Sequence, residues 1–228
     1  MVLRKIHGEF FTSTRDIRWV PLSVYTDAMA DYISNNFQVE NPPVLVGHSM
    51  GGFVIQKYLE QEGNNDKVAG AVLMASVPPT GGSRSFLNQF LKTPLIALQI
   101  QLTLSFNAVI ATPERARQFF FSESMPEEEV VEYWMQMHDE SYRAYVDTTF
   151  LLPRVRNIQS PILVLGAQND NTFAEVDYTI TAKAYNTEAI VFPNMAHDMM
   201  LEAGWQDVAS TIVDWVRNNY TNTNSSNV

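Results

Sequence analysis

The stretch Val44–Gly52, VLVGHSMGG, decides the fold, and the rest of the chain is interpreted outward from it. An apolar run rich in valine ends at a serine between glycines, and a helix-like segment, Phe53–Leu59, follows at once. This is the G-x-S-x-G pattern between a strand and a helix, a turn that strains the serine backbone. Gly47 and Gly51 are expected where a Cβ would collide with a neighbouring element. The pattern predicts Ser49 as a nucleophile at a helix N-terminus.

Composition limits the class of protein. With 228 residues, 46% of them hydrophobic and 18% charged, the chain fits one globular enzyme domain. A net charge of −10 disfavours a nucleic-acid partner, because no basic stripe is present. The absence of cysteine excludes disulfides and thiolate catalysis, and it favours a cytoplasmic location. No secretory signal is visible, and polar residues interrupt Leu95–Ala111, so no transmembrane segment is predicted.

Apolar runs alternate with helical patterns on both sides of the serine. The predicted strands are Val44–Val46, Val68–Ala75, Ile162–Gly166 and Ala189–Phe192. Helical patterns open at Pro21, follow the serine, cover Ala174–Tyr185, and reappear from Trp205. Continuous apolar runs, rather than strict apolar–polar alternation, indicate a mostly parallel sheet flanked by helices, which is an α/β fold.

The alternation lapses between Thr80 and about Leu152, where several short helices are predicted. Thr112 and Ser124 each precede a proline in a predicted first turn, and Ser124 with Glu127 fits a capping box. The segment is rich in large apolar residues and is predicted to be an insertion. The predicted division is a first part of the core (1–79), the helical insertion (80–152), a second part of the core (153–218) and a disordered tail (219–228).

A serine nucleophile needs a base and a carboxylate that orients the base. Four histidines are available. His48 lies within the turn, where its side chain would point away from the serine, and His7 and His138 have the ordinary polar surroundings of surface residues. His197 lies in a loop, Asn194–Asp198, directly after the last predicted strand. That loop would open at the sheet edge that holds the serine, so His197 is the predicted base.

The GHSMGG turn resembles the nucleophile elbow of the α/β-hydrolase superfamily, as found in esterases, lipases and lysophospholipase-like members. The resemblance extends roughly from Ile17 to Trp215 and is specific around the catalytic turns. This family places its acid after the strand that precedes the base loop, and Asp170 is the carboxylate in that turn. The order Ser49, Asp170, His197 is the order of the family's triad.

Other carboxylates fit the family pattern less well. Glu175 and Asp177 fall on the helix after the acid turn and are weaker candidates. Asp198, next to the base, is interpreted as a hydrogen-bond acceptor within its loop.

The resemblance implies a serine hydrolase that cleaves a carboxylic ester or thioester with an apolar acyl group. The partner would be a small-molecule ester, bound under a cap or lid formed by the insertion, and no metal or cofactor would be needed. The backbone N–H of Met50 is the one identifiable oxyanion-hole donor.

The chain departs from the family at its N-terminus. Forty-eight residues precede Ser49, fewer than the family's first strands and helices require. Val2–Gly8 resembles the end of the fourth strand with its following turn, so the first three strands and the second oxyanion donor are expected to be missing. The elbow strand would then be an apolar edge available for self-association. A truncated product is preferred over a misassigned start codon or a strand edge that pairs with another chain.

Two other functions stay open. One is a truncated, catalytically impaired hydrolase-like protein, and the other is a same-fold enzyme of different chemistry, such as a C–C hydrolase or a cofactor-free peroxidase. A haloalkane dehalogenase is disfavoured, because its nucleophile would be an aspartate where this chain has Ser49.

Overall fold

The computed structural model of the chain describes residues 17–225. Within them, four parallel strands form one sheet whose spatial order, β1-β2-β3-β4, is also their order along the chain. The strands are β1 (Val44–His48), β2 (Gly70–Met74), β3 (Ile162–Ala167) and β4 (Ala189–Phe192). The predicted α/β fold with a parallel sheet is confirmed. Among the described residues no strand precedes β1, in agreement with the expected lack of N-terminal strands; the prediction for Val2–Gly8, including His7, lies outside them.

Helices surround this sheet. They are α1 (Leu22–Asn36), α2 (Met50–Leu59), α3 (Ser83–Lys92), α4 (Pro94–Thr103), α5 (Pro113–Phe120), α6 (Glu127–Trp134), α7 (Tyr142–Phe150), α8 (Glu175–Ala184) and α9 (Trp205–Ser225), with short 3₁₀ turns at Asn65–Lys67, Phe106–Ala108 and Val155–Asn157. The fully described segment between β2 and β3 contains α3 to α7, where the alternation was predicted to lapse. Within residues 17–225, no helix is both long and apolar enough to cross a membrane.

Two details differ from the sequence predictions. The final helix continues to Ser225, so residues 219–225 are helical where a disordered tail was expected; neither glycine nor proline follows Trp205 to end it. The capping box at Ser124 is wrong, because α6 begins after Pro126 without a side-chain cap and the Ser124 hydroxyl pairs with that of Ser122. The cap at Thr112 is confirmed, since its hydroxyl accepts a hydrogen bond from the Arg115 N–H.

Burial is uneven across the sheet. Every residue of β2 and β3 is buried, as expected for strands covered on both faces. The edge strand β1 is different, because Val46 is 50% exposed. The main core packs α1, α2 and α8 against the central strands through residues such as Leu22, Phe53 and Tyr178. The other edge strand, β4, is also less buried than the central strands, with Ile190 42% exposed, so both edges of the sheet are less protected than its centre.

Candidate active site

Ser49 lies where β1 ends and α2 begins, and its backbone has φ 52° and ψ −124°. A positive φ is strained for a residue with a Cβ and persists only where the surroundings hold it. Here the Ser49 N–H donates to the carbonyl of Met74 at 3.1 Å. The Ser49 carbonyl accepts from Gly52 N–H at 3.1 Å and from Val77 N–H at 3.2 Å. The end of β2 thus holds the turn in its strained form.

Missing side chains allow the close packing around this turn. A Cβ on Gly47 would lie 2.7 Å from both the Gly51 carbonyl oxygen and the Gly52 Cα. A Cβ on Gly52 would lie 2.3 Å from the hydroxyl oxygen of Ser76. Real Cβ contacts are not this short, so both positions require glycine. The G-x-S-x-G pattern predicts the need at Gly47, whereas the need at Gly52 comes from the end of β2 and is not visible in the pattern.

Asp170 and His197 form a buried hydrogen-bonded pair. The turn after β3 carries Asp170 and the loop after the neighbouring β4 carries His197, so both lie at the carboxyl edge of the sheet. His197 Nδ1 is 2.8 Å from Asp170 Oδ2, and the side chains are 1% and 0% exposed. Asp170 Oδ1 also accepts from the N–H groups of Thr172 at 2.6 Å and Phe173 at 3.0 Å.

The two groups shift each other's protonation. Burial alone would lower the pKa of His197, but the adjacent Asp170 carboxylate outweighs it and the pKa lies above its usual value. Burial alone would raise the pKa of Asp170, but His197 and the hydrogen-bond donors around the carboxylate bring that pKa below its usual value. Asp170 is therefore ionised at neutral pH and accepts at Nδ1 of His197, which leaves Nε2 available to take a proton.

Tyr178 also contacts this pair, and the sequence analysis did not predict that contact. Its hydroxyl donates to Asp170 Oδ2, and its ring lies directly over β3 at Gly166. A Cβ on Gly166 would be 2.2 Å from the ring, so glycine is what lets the tyrosine approach. Tyr178 follows Asp170 by eight positions on α8, in a helix with an ordinary apolar face, and nothing in that pattern distinguishes it.

His48 has a role that the sequence analysis did not assign to it. Its Nε2 lies 3.0 Å from the carbonyl oxygen of His197 and 3.5 Å from Asp198 Oδ1, and the two imidazole rings are 4.6 Å apart. Burial, reinforced by the charge of His197, lowers the pKa of His48 to about 3. The neutral ring therefore donates to the His197 carbonyl and holds the base loop. Because His48 occupies a variable position of the pattern, the pattern carries no signal for this contact.

The insertion is hydrogen-bonded to the loop Asn194–Asp198, which carries His197, and to the segment that follows this loop. The carbonyl of Phe120, at the end of α5, accepts from the Asp198 N–H at 2.9 Å. The buried carboxylate of Glu202 accepts from both the N–H and the hydroxyl of Ser122, each at 2.6 Å. Burial raises the pKa of Asp198 to about 6. The position of His197 thus depends on α5 as well as on β4.

Two polar groups at the elbow make no hydrogen bond within the part of the chain that the structure describes. They are the Ser49 hydroxyl and the N–H of Met50, the first residue of α2. His48 is the last residue of β1, directly precedes Ser49 and contacts His197, so the loop after β4 lies beside the elbow. Serine–histidine hydrogen bonds in resting sites are often long and form fully only with substrate.

The remaining candidates lie elsewhere. Asp177 Oδ2 accepts from the N–H of Ala174 at 2.9 Å, so this carboxylate caps α8 instead of approaching His197. Glu175 and His138 have no bond to the site among the described residues. Ligand atoms of His48, His197 and Asp198 lie within 4.8 Å of one another and could hold a metal ion. A cation there would bind a ring nitrogen of His197.

Comparison with known proteins places the chain in a family. A family model described as "Alpha/beta hydrolase family" matches residues 7–211. A search of curated proteins finds no significant match.

Similar solved structures include a thermophilic esterase from Thermogutta terrifontis (17% identity, 88% of this chain and 74% of that chain, TM-score 0.66). They also include a provisionally named non-heme bromoperoxidase from Mycobacterium tuberculosis H37Rv (21%, 88% and 75%, 0.63) and a monoacylglycerol lipase from Paleococcus ferrophilus (18%, 88% and 76%, 0.60). Likeness at this level of identity shows a shared fold.

Proposed function

Because the chain belongs to the alpha/beta hydrolase family, we propose that it is a serine hydrolase that cleaves a carboxylic ester or thioester with an apolar acyl group. The observation that carries the proposal is the buried pair of His197 and Asp170, joined at 2.8 Å at the sheet edge where Ser49 is held in a strained turn. A nucleophile, a base and an orienting carboxylate at one edge are the parts that acyl transfer requires.

Acylation begins at Ser49. Its Oγ attacks the carbonyl carbon of the ester while His197 Nε2 takes the hydroxyl proton, and Asp170 stabilises the imidazolium that forms. The carbonyl oxygen becomes an oxyanion next to the Met50 N–H, which makes no other hydrogen bond within the described residues. When the intermediate collapses, the C–O or C–S bond breaks and the leaving alcohol or thiol takes the proton from His197.

Deacylation returns Ser49 to its free form. A water molecule gives a proton to His197 Nε2 and attacks the acyl carbon, and the carboxylic acid leaves as Ser49 regains its proton. These steps are complete with the groups of Ser49, Asp170, His197 and Met50, so the proposal includes no metal or cofactor.

The surroundings of the base favour an apolar acyl group. The ring of Phe120 lies 5.8 Å from the imidazole of His197, and that of Phe173 lies 5.6 Å from it. Phe120 belongs to the end of α5, so we assign residues 80–152 as a cap on a core formed by 1–79 and 153–218. Apolar rings against the imidazole exclude water from the reacting groups. A cytoplasmic location remains a prediction from the absence of cysteine.

A second candidate is a catalytically impaired hydrolase-like protein. It is favoured by the position of β1 at the edge of the sheet formed by residues 17–225, where Val46 is half exposed, because an unpaired strand edge next to the elbow weakens its support. This candidate keeps the geometry of Asp170 and His197 but predicts negligible turnover. Self-association through the β1 edge remains a prediction on either account.

Hydrolysis of p-nitrophenyl esters separates the two candidates. We expect the purified chain to hydrolyse a butyrate or octanoate ester, and Ser49→Ala to lower kcat by about 10⁴-fold or more. Ser210→Ala, at an exposed position of α9, is the matched control and should keep the wild-type rate. No hydrolysis by the wild-type chain would favour the impaired candidate. Equal rates for wild type and Ser49→Ala would contradict the assignment of the nucleophile.

A further inference from the structure

Two consecutive helices of the insertion carry an apolar face that nothing in the described structure covers. Its members are Leu87, Phe90 and Leu91 on α3 and Leu95, Leu98 and Leu102 on α4, and they are between 43% and 81% exposed. Spacings of three and four residues place the members of each helix on one side. We call this set the outer face. The opposite side of α4 is buried, through Ala97 and Ile100.

Exposure on this scale needs a reason. Single apolar residues on a protein surface are ordinary, but a contiguous set of large ones marks an interaction surface. The helices α3 and α4 pack against each other, so their exposed apolar residues lie on neighbouring elements. Neither helix contains an aspartate or a glutamate, whose charge would favour exposure of this surface to water.

Charge indicates the kind of partner. From Lys67 to Pro113 the sequence has no acidic residue, although the whole chain has 25 and a net charge of −10. Arg84, near the start of α3, is exposed although its Nε lies 3.9 Å from Asp177 Oδ1, and Lys92, the last residue of α3, is exposed. An apolar helical face with cations beside it is what binds in the interface of an anionic lipid layer. A second copy of this chain would bring the same cations to the contact, so charge disfavours self-pairing of this face.

The outer face is also connected to the candidate active site. The hydroxyl of Ser85 on α3 donates to the carbonyl of Thr172 at 2.5 Å, and the side-chain amide of Gln89 donates to the carbonyl of Asn171. Thr172 in turn donates its N–H to Asp170. The helix that presents Leu87 and its neighbours is therefore bonded to the turn that holds the catalytic acid.

We propose that the outer face of α3 and α4 binds the surface of a lipid bilayer that contains anionic head groups. The leucines enter the boundary between head groups and acyl chains, while Arg84 and Lys92 contact the head groups. This holds the candidate site at a lipid–water interface, where esters with apolar acyl groups are concentrated. Binding depends on the surface alone, so it holds whether or not Ser49 is the nucleophile.

Vesicle binding by the full chain tests the proposal, with Ser49→Ala as the background so that catalysis does not intervene. We expect cosedimentation with vesicles of phosphatidylcholine and phosphatidylglycerol, and weaker binding to phosphatidylcholine alone. The double variant Leu91→Glu/Leu95→Glu should weaken binding by about tenfold or more, because it removes two inserted side chains. Leu102→Glu is a second variant at a separate exposed position on α4.

Val176→Glu on α8 and Val213→Glu on α9 are matched controls, since they make the same kind of change at exposed helical positions outside the outer face. Both should bind as the background does, and circular dichroism should show that every variant is folded. Absence of vesicle binding, equal binding to both vesicle types, or unchanged binding by the outer-face variants would overturn the proposal. Self-association that the outer-face variants abolish, without vesicle binding, would assign the face to a second copy instead.

Discussion

The proposed acid–base pair and the proposed nucleophile of the candidate site are held in position by different interactions. Asp170 and His197 follow the neighbouring strands β3 and β4, have side chains that are at most 1% exposed, and are hydrogen-bonded to each other, with Tyr178 donating to Asp170. Ser49 follows the edge strand β1, is partly exposed, and has a hydroxyl without a hydrogen bond in the described chain. Hydrogen bonds between side chains position the first part, whereas backbone hydrogen bonds and glycine packing hold the strained turn of the second.

The largest expected effect comes from breaking the acid–base pair. Asp170→Asn should lower kcat by about 10⁴-fold, because an amide neither fixes the tautomer of His197 nor stabilises its imidazolium. Ester hydrolysis measures this effect. Asp177→Asn is the matched control, since Asp177 is a buried carboxylate that caps α8. It should reduce stability but keep activity, and equal losses of activity in the two variants would contradict the assignment of the acid.

Disrupting the glycine packing around Ser49 tests how the proposed nucleophile is positioned. Gly52→Ala places a Cβ 2.3 Å from the Ser76 hydroxyl, so it should cost roughly 1–3 kcal/mol of stability and lower kcat/KM by about 100-fold through displacement of the elbow. Gly63→Ala is the control, because Gly63 has φ +78° but open space around it. It should lose about 1 kcal/mol through backbone strain and keep its activity. Chemical denaturation and ester hydrolysis measure the two quantities.

The pH dependence reports the acid–base pair alone. His197 acts as a base only when neutral, and its pKa is raised above the usual 6.5, so kcat/KM should fall as the pH drops through a value above 6.5. The same shift contributes stability that is fully present below about pH 6.5 and is lost as the pH rises through the raised pKa. In Asp170→Asn, the fall of the residual kcat/KM with decreasing pH should occur at a lower pH than in the wild type. The same fall at the wild-type pH would mean that Asp170 does not set the pKa of His197.

The smallest expected effect comes from truncating one valine in β3 and one valine in β1. Val164 in β3 is 1% exposed, whereas Val46 in β1 is 50% exposed. Val164→Ala should lower the free energy of unfolding by about 2 kcal/mol, from lost burial and the cavity that remains. Val46→Ala should change it by less than about 0.5 kcal/mol. A comparable loss at Val46 in urea unfolding would show that a partner covers the β1 edge in solution.

The sequence predicted the parts of the fold that depend on local patterns. Continuous valine and leucine runs predicted all four described strands, because strands buried on both faces admit few polar residues. The elbow was equally visible, since strained backbone with close packing selects glycine in a fixed pattern. The positions of Asp170 and His197 followed from the order of strands and from the resemblance, and their pairing at 2.8 Å is what the structure adds.

Contacts between distant segments were not predictable. Tyr178 reaches Asp170 only because β3 has Gly166 beneath the ring, and His48 reaches the His197 carbonyl across 149 positions of sequence. Such pairs leave no periodicity in a single sequence. The C-terminal helix was underestimated for another reason, since a run of asparagine, threonine and serine has low helix propensity but contains no residue that stops a helix before Ser225.

Covalent labelling tests the central claim, that Ser49 is the nucleophile activated by the buried pair, most directly. After incubation with a fluorophosphonate, intact mass should increase by one adduct, and peptide mapping should place that adduct on Ser49. Labelling should be absent in Ser49→Ala, strongly slowed in Asp170→Asn, and unchanged in Ser210→Ala. Equal labelling of the wild type and Ser49→Ala, or an adduct on another serine, would contradict the account.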